Sequence, residues 1–350
     1  MPHTAAVYPQ ILLPTHTGLG NFILKTPLIA ALHQAFPNVA IDLVGSGRFG
    51  AELVVKQSPL IRQVHQLRLS EATWRQKCWF WVGLRSYSYD YILLPFDIDS
   101  RFWRVGARIA GIRHIVRQPK QTLLPDRHEI DYNIDLLAQI CPDQDDAVWR
   151  KIRPFVHCPP DERVLQRYKL EPRRYIVIQP GAANGLYAAK VWSPNRFKAL
   201  IPELIARYQM PLVLVGDAGD NRVFAQALAD SYAQEPLLIN TAGQTSFDEL
   251  VALLANARAV LCHDSGVMHL SDALETPLIA LYGPTDYSRT HPCGSHSHTL
   301  LSETPYQGIM RHFATDEIAL SQKGIGHAAM DGISVTIVLN KLAVVMQEAN

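Results

Sequence analysis

Short apolar runs alternate with longer amphipathic stretches along most of this 350-residue chain. Runs such as residues 89–95 and 278–282 have the length of buried strands, and stretches such as residues 194–208 have the period of helices. Parallel strands need a crossover between them, and that crossover is usually a helix. The alternation therefore predicts an α/β protein with parallel sheets.

The alternation occurs twice, and the two series are separated by residues 158–174. This segment begins with Cys158-Pro159-Pro160 and ends with Pro172-Arg173-Arg174. A domain has roughly 150 residues, so the chain length agrees with two domains. We predict two Rossmann-like parallel-sheet domains, residues 1–165 and 166–330, followed by a last amphipathic helix within residues 331–350.

The composition limits the function classes that remain. A formal net charge of +1 excludes chain-wide electrostatic binding of nucleic acid. The five cysteines form no C-x-x-C pair, which argues against a disulfide framework and a thiolate zinc site. The first residues lack the features of a signal peptide, and no uncharged apolar run approaches the roughly 20 residues of a membrane span. We expect a cytoplasmic protein that can still visit a membrane surface.

Candidate ligand-binding residues come directly after predicted strands, because ligands of parallel sheets bind at the carboxyl ends of strands. The first strand leads into a glycine loop, His16-Thr17-Gly18-Leu19-Gly20-Asn21, whose backbone N–H groups could approach an anion. Ile23 replaces the third glycine of the dinucleotide-binding motif. A later strand leads into Pro180-Gly181-Ala182, and Lys190 follows as a cation that can neutralise a phosphate.

The strongest signal is the sequence His-Asp-Ser-Gly-Val-Met-His at residues 263–269, which joins a strand to a helix. Ser265 and Gly266 would open that helix, so that its free N–H groups face a diphosphate. Asp264 would anchor the turn or a ligand hydroxyl, and His269 would lie near the same anion. A turn without a ligand is the alternative. A metal site on the two histidines is disfavoured, and a Ser-His-Asp triad cannot form within one turn.

Two polar features follow the strand at residues 89–95. Asp97-Ile98-Asp99 resembles the D-x-D metal signature of some sugar-nucleotide enzymes, and we interpret so short a motif as a polar loop. Residues 100–125 contain six cations and no acid. Arg101, Arg104 and Arg108 have helical spacing and would share one face. That face is either a solvated helix surface or a binding surface for an anionic partner.

Residues 264–285 resemble the signature of glycosyltransferase family 9, the ADP-heptose:lipopolysaccharide heptosyltransferases. The resemblance rests on Asp264-Ser265-Gly266-Val267-Met268-His269 and Ala280-Leu281-Tyr282-Gly283-Pro284-Thr285. Further matches extend over most of the chain, among them Gly18-Leu19-Gly20-Asn21 and Lys190-Val191-Trp192. The resemblance implies a GT-B fold, in which two Rossmann-like domains face each other across a cleft and the last helix returns to the first domain.

The resemblance also implies an activity, the inverting and metal-independent transfer of heptose from an ADP-sugar to a lipopolysaccharide inner core or similar glycan. The first domain would bind the acceptor and the second the nucleotide sugar, with no other cofactor. The protein would work peripherally on the inner face of the inner membrane. Residues implied in donor binding are Gly181, Lys190, Asp220, Asp264, Ser265, Gly266 and His269. Arg101, Arg104 and Arg108 would face the anionic acceptor.

Asn21 departs from the family pattern, which usually has an Asp at this position as the general base. A neutral amide cannot accept a proton at pH 7. We therefore interpret Asn21 as orienting the acceptor while His16 or Asp97 acts as the base, and we favour His16 because it can titrate near neutrality.

Other functions remain open at this point. The substrate could differ from that of the core enzymes, or the protein could bind a sugar nucleotide without useful turnover. Another GT-B chemistry, such as nucleotide-sugar epimerisation, is a further alternative. A dinucleotide oxidoreductase would have only Asp42 near the expected ribose-binding place.

Overall fold

The computed structural model describes residues 9–45, 51–55, 57–118, 124, 126–182, 188–220, 224–310 and 325–348. The chain divides into two compact units, Met1–Cys158 and Pro159–Asn350. The boundary predicted at residues 165 and 166 lies later than this division. The reason is that the segment after Pro159 already packs on the second unit, where Asp161 N–H donates to Asp248 O (3.0 Å) and Arg167 pairs with Glu249 (2.8 Å).

Within the described residues, the first unit contains a five-stranded parallel sheet in the order β3-β2-β1-β4-β5. The strands are β1 Gln10–Pro14, β2 Ala40–Gly45, β3 Gln63–Gln66, β4 Tyr91–Leu94 and β5 His114–Arg117. The helices are α1 Leu19–Ile23, α2 Thr26–Ala35, α3 Trp74–Gly83, α4 Arg101–Ile109 and α5 Glu129–Ala138. The strand order, together with the right-handed crossovers usual in parallel sheets, predicts α2 on one face of the sheet and α3 and α4 on the other. The helix α5 packs on α2.

The second unit, within the described residues, contains a six-stranded parallel sheet in the order β11-β10-β9-β6-β7-β8. The strands are β6 Ile176–Ile178, β7 Leu212–Leu214, β8 Leu238–Asn240, β9 Ala259–His263, β10 Leu278–Tyr282 and β11 Ser297–Leu301. The helices are α6 Arg163–Arg167, α7 Pro194–Tyr208, α8 Ala218–Asp220, α9 Gln226–Ser231, α10 Phe247–Ala255, α11 Gly266–Ala273, α12 Tyr287–Thr290 and α13 Val335–Glu348. Among the described residues, no helix is both long and apolar enough to span a membrane.

The central strands of the second sheet are apolar throughout because helices cover both of their faces. Every residue of β6, β7, β9 and β10 is buried. This is the pattern expected of parallel strands between two helix layers. The edge strand β11 is only half-buried and more polar, and the sequence pattern did not predict it.

The C-terminal helix α13 packs on the core of the second unit, and the expectation that residues 331–350 also reach the first domain stays a prediction. Its apolar side chains Val338, Leu342 and Val345 are fully buried in the core of the second unit. There the helix contacts α7 and the strands β9, β10 and β11. The apolar stripe that predicts this helix is therefore used to cover the second sheet.

In the first unit, the position of α3 against α4 depends on Gly106. An ideal Cβ at Gly106 would lie 1.9 Å from the indole carbon Cε2 of Trp81. Trp81 is itself buried and contacts Trp103 edge to face, with ring centroids 5.6 Å apart. A rigid ring in a packed core cannot withdraw cheaply. The glycine thus allows the close approach of the two helices.

We expect Gly106→Ala to lower the free energy of unfolding of the first unit by about 1–3 kcal/mol, as overpacking in a core usually does. Gly83→Ala is the matched control, because nothing lies within 4 Å of the position that a Cβ would take there, and the φ of Gly83 is −61°. That change should be neutral or stabilise α3 by up to about 1 kcal/mol. Urea unfolding followed by tryptophan fluorescence measures both. Equal stabilities of the two variants would contradict the packing described for α3 and α4.

Candidate active site

Both sheets have a point where the strand order reverses, and such a point is where open α/β sheets bind ligands. In the first sheet the chain moves from β1 outward to β3, and then returns to the other side of β1 with β4. In the second sheet it moves from β6 outward to β8, and returns to the other side of β6 with β9. The residues that follow β1 and β4, and those that follow β6 and β9, therefore form two candidate sites.

In the first unit, the carboxylate of Asp97 gathers the side chains of the glycine loop. Its Oδ2 accepts hydrogen bonds from Thr17 Oγ1 (2.6 Å) and Lys25 Nζ (2.7 Å). Asn21 Nδ2 lies 3.5 Å from the same oxygen, and Lys25 Nζ also donates to Asn21 O (3.0 Å). The structure thus brings together two predicted site residues, Asn21 and Asp97. Thr17 and Lys25 were missed, although Lys25 lies one helical turn after Asn21 in the sequence.

Asp97 is held in its ionised form. Burial alone would raise the pKa of Asp97, but the charge of Lys25 and the hydrogen bonds from Lys25, Thr17 and Asn21 hold it below the usual value. The Lys25 side chain is almost inaccessible to solvent, and its ammonium group lies 2.7 Å from Asp97 Oδ2, so each charge is compensated by the other. The second carboxylate oxygen, Oδ1, is buried and accepts no hydrogen bond from the described residues.

His16 lies on the same loop but has other partners. Its Nε2 is 2.7 Å from the carbonyl oxygen of Leu67, so Nε2 carries the proton and Nδ1 is the basic atom. The ring packs edge to face on Trp103. Burial lowers the pKa of His16, although the carbonyl of Leu67 acts in the opposite direction. His16 is therefore neutral at pH 7. Among the described residues, it makes no hydrogen bond to the Asp97 cluster.

The three arginines of α4 do not share one environment. Arg101 and Arg108 are exposed, whereas Arg104 is half-buried and pairs with Asp99 (2.7 Å). Asp99 also binds Arg117 (2.7 Å), so both carboxylates of the D-x-D motif are occupied by cations. Over the parts of the chain that the structure describes, no group of three or more His, Cys, Asp or Glu is placed to hold a metal ion. Lys120, the last cation of the basic stretch, lies outside the described residues.

In the second unit, a buried histidine connects the two loops of the candidate site. His263 ends β9, and its Nδ1 donates to the carbonyl oxygen of Gly181 (3.2 Å) while its Nε2 accepts from the backbone N–H of Trp192 (3.0 Å). Burial lowers the pKa of His263 to about 4, so the ring is neutral. The sequence had suggested this residue only as a disfavoured metal ligand. Its position at the end of a fully apolar strand was the available signal.

Lys190 and Asp264 form a buried ion pair beside this histidine. Lys190 Nζ lies 3.1 Å from Asp264 Oδ2, and both side chains are buried. Thr290 Oγ1 donates to the other carboxylate oxygen (3.3 Å). Burial would raise the pKa of Asp264, but the charges of Lys190 and His269 hold it below its usual value. The predicted donor-site residues Lys190, Asp264 and His269 thus lie in one electrostatic cluster.

The start of α11 faces the same cluster. Ser265 occupies the N-cap position, but its hydroxyl donates to Gln179 Oε1 (2.6 Å) and makes no capping bond to the described helix. The first N–H groups of a helix have no intrahelical acceptor, and Gly266 is the first residue of α11. Uncapped N–H groups and a lysine at one place can bind an anion such as a diphosphate. Asp220 ends α8, and its side chain lies outside the described residues.

The buried carboxylate of Asp42 does not lie in either site. It belongs to the interior of β2, where it binds Arg62 through two hydrogen bonds of 2.8 and 2.7 Å and accepts another from Gln63 (2.8 Å). Tyr89 and His65 also contact it. Despite its burial, these hydrogen bonds hold the pKa of Asp42 well below its usual value. Asp42 is the acid that an oxidoreductase would use to bind a ribose hydroxyl, but here its carboxylate oxygens are bound by side chains of the same unit.

The neutral His263 makes the stability of the second unit depend on pH. Below pH 6.5 the unfolded chain takes up a proton on this histidine, whereas the folded chain does so only near pH 4. Between these two pH values, the free energy of unfolding of the wild type should fall by on the order of 3 kcal/mol more than that of His263→Gln. Glutamine can keep both hydrogen bonds but cannot titrate. Urea unfolding measures both stabilities across this range. An equal fall in the free energy of unfolding for both proteins would contradict a neutral His263 in the folded state.

Comparisons with known proteins identify the family to which the chain belongs. A family model described as glycosyltransferase family 9 (heptosyltransferase) matches residues 109–313. The chain is 28% identical over 306 residues to lipooligosaccharide heptosyltransferase 2 of Haemophilus influenzae, which covers 81% of the chain and 86% of that relative.

Two solved structures share the fold over 97% of the chain. One is an E. coli ADP-heptose lps heptosyltransferase II, with a TM-score of 0.74, 21% identity and 99% of its length covered. The other is a glycosyl transferase family 9 protein from Veillonella parvula, with a TM-score of 0.79, 19% identity and 98% coverage. The predicted fold class, two Rossmann-like parallel-sheet domains of the GT-B type, is confirmed. The predicted resemblance is confirmed as well: the chain belongs to glycosyltransferase family 9, the heptosyltransferases, and is a glycosyltransferase.

Proposed function

We propose that the protein transfers heptose, or a closely related sugar, from an ADP-sugar to an anionic inner-core or similar glycan, with inversion and without a metal ion. Family membership supports the transfer of heptose in lipopolysaccharide synthesis. One similar structure is described as an ADP-heptose enzyme, which supports ADP as the nucleotide. The cations on both carboxylates of the D-x-D motif favour a mechanism in which this motif holds no metal.

The observation that carries the proposal is the buried Lys190–Asp264 pair beside the uncapped start of α11. In the complex with a diphosphate, Lys190 Nζ would contact a phosphate oxygen. The backbone N–H groups of Gly266 and its neighbours would donate hydrogen bonds to the other phosphate oxygens. Asp264 would keep Lys190 in place and accept a hydrogen bond from a sugar hydroxyl. His269 would lie close to the same groups. The backbone at Gly181, positioned by His263, would form the opposite wall. Asp220 remains our candidate for the adenosine ribose.

This arrangement suits the displacement of ADP. As the bond between the anomeric carbon and the diphosphate breaks, negative charge develops on the diphosphate and positive charge on the sugar ring. A fixed lysine and a helix start stabilise the leaving group at the moment when its charge grows. In an inverting reaction, the acceptor hydroxyl attacks from the opposite side, and one general base takes its proton.

For that base we propose Asp97 rather than His16. Asp97 is ionised, and its Oδ1 accepts no hydrogen bond from the described residues, so that oxygen can receive a proton. It also contacts Asn21, the residue at the position where the family usually has its acid. Asn21 would then orient both Asp97 and the acceptor hydroxyl. Among the described residues, His16 has its basic Nδ1 without a hydrogen-bond partner, but it makes no hydrogen bond to Asn21 or Asp97.

The acceptor would meet the exposed arginines of α4. Arg101 and Arg108 are free to contact anionic sugars, whereas Arg104 shares its charge with Asp99.

The second candidate function is binding of a sugar nucleotide without turnover. The replacement of the usual acid by Asn21 favours it.

We expect Lys190→Ala to weaken the binding of ADP-sugars by about 10- to 100-fold, the effect of one charged hydrogen bond. Lys198→Ala, which removes an exposed lysine of α7, is the matched control. Thermal-shift titrations with ADP-, GDP- and UDP-sugars give the affinities, since a ligand raises stability by mass action. Circular dichroism checks that the variant is folded. Unchanged ADP-sugar affinity in a folded Lys190→Ala would remove this lysine from the donor site.

The base assignment is tested by transfer to truncated inner-core acceptors, both with and without heptose, measured by mass spectrometry in the presence of a strong chelator. Asp97→Asn should lower kcat by about 10²- to 10⁴-fold, with donor affinity unchanged, because the proton has no acceptor. The wild-type rate should stay flat from about pH 5.5 to 8, since the pKa of Asp97 lies below its ordinary value.

The other outcomes separate the alternatives. His16 would be the base if the transfer rate fell as the pH dropped below the ordinary histidine pKa of about 6.5 and if His16→Ala abolished transfer. Activity that the chelator removes and Mg²⁺ restores would contradict the metal-independent mechanism. If the wild type never glycosylates an acceptor and Asn21→Asp does, the binding function is correct.

A further inference from the structure

The outer side of α3 exposes two tryptophans. Trp74 is 70% exposed and Trp79 is 73% exposed, and Val82 on the same helix is 41% exposed. Large aromatic side chains are normally buried for most of their area, and exposed apolar patches mark interaction sites. The other four of the six tryptophans, Trp81, Trp103, Trp149 and Trp192, are all buried.

The orientation of α3 is fixed by Trp81, which is buried and packs on Gly106 of α4, where an ideal Cβ would lie 1.9 Å from its indole ring. Trp79 is two residues before Trp81 and therefore lies on the opposite side of the helix, toward solvent. A rotation of α3 that buried Trp79 would have to expose Trp81. Trp74 is the first residue of α3 and is exposed at the start of the helix.

The same layer of helices carries positive charge without acid. The sequences of α3 and α4 contain no Asp or Glu, while they contain Arg75, Lys77, Arg101, Arg104 and Arg108. On α4, Val105 is 42% exposed between Arg101 and Arg108. The nearest acid before α3 in the sequence, Glu71, pairs with Arg68 (3.3 Å). We call Trp74, Arg75, Trp79 and Val82, with Arg101 and Val105, the aromatic–basic face.

We propose that the aromatic–basic face binds the surface of a bilayer that contains anionic phospholipids. Tryptophan prefers the headgroup level of a membrane, where its ring is half in apolar surroundings. Arginine and lysine next to it are attracted by the negative surface potential. A second copy of this chain fits less well, because a two-fold contact through this face would bring the same cations together. The inference does not depend on the proposed transferase reaction.

The test uses the full chain with two kinds of phosphatidylcholine vesicle. One contains no phosphatidylglycerol, and the other contains about 30% of it, so that its surface is negatively charged. Since only Trp74 and Trp79 are exposed, a blue shift of tryptophan emission on adding anionic vesicles reports their insertion. Flotation of the vesicles measures the bound fraction. We expect binding to the anionic vesicles, weak binding to neutral ones, and release at high salt.

Variants separate this face from the rest of the surface. Trp74→Ser with Trp79→Ser should lower the partition coefficient at least about tenfold and remove the blue shift. Arg75→Gln should lower it by about fivefold, the effect expected of one cation near an anionic surface. Ile337→Ser changes another exposed apolar residue, 44% exposed on α13, and should leave partitioning unchanged.

Three results would overturn the proposal. One is flotation of the double tryptophan variant equal to that of the wild type. The second is equal binding to neutral and anionic vesicles. The third is a lipid-free dimer in analytical ultracentrifugation that the double variant dissociates, since this would assign the face to a second copy of the chain.

Discussion

The parallel pairing of β1 with β4 and of β6 with β9 is the constraint on which both candidate sites depend. Each pair lies where the strand order reverses, so the loops that follow the two strands leave in opposite directions and open a crevice between them. Side chains then connect the two loops across the crevice. Thr17 and Lys25 reach Asp97 in the first unit, and Ser265 and His263 reach Gln179 and Gly181 in the second.

Each crevice contains one buried lysine–aspartate pair. Lys25 and Asp97 are 2.7 Å apart, and Lys190 and Asp264 are 3.1 Å apart. A buried ion pair adds little net stability compared with apolar residues of the same size, because both charges lose their hydration. Chemistry is therefore a better explanation for these pairs than stability. Under the proposed function, the first pair holds a base for the acceptor and the second holds a cation for the leaving diphosphate.

Much of this could be predicted from the sequence, because buried parallel strands and amphipathic helices have distinct periods. The turn that contains Asp264 and Ser265 was predicted because it follows such a strand, as was the loop that contains Asn21. The edge strand β11 was missed because a half-buried, polar strand lacks the apolar run. Lys25 was missed, and the role of His263 was not predicted, because both roles depend on partners 72 and 82 residues away, which no local pattern records. The surface that α13 covers in the second unit could not be predicted, since an apolar stripe does not identify its partner.

The most direct test of the account is a crystal structure of the chain with ADP bound. We predict that the diphosphate lies on the second unit, within hydrogen-bond distance of Lys190 Nζ and of the backbone N–H of Gly266. Asp264 should remain next to Lys190 and should not contact the phosphate oxygens. ADP bound elsewhere, with Lys190 still paired only to Asp264, would contradict the assignment of the donor site and the mechanism that rests on it.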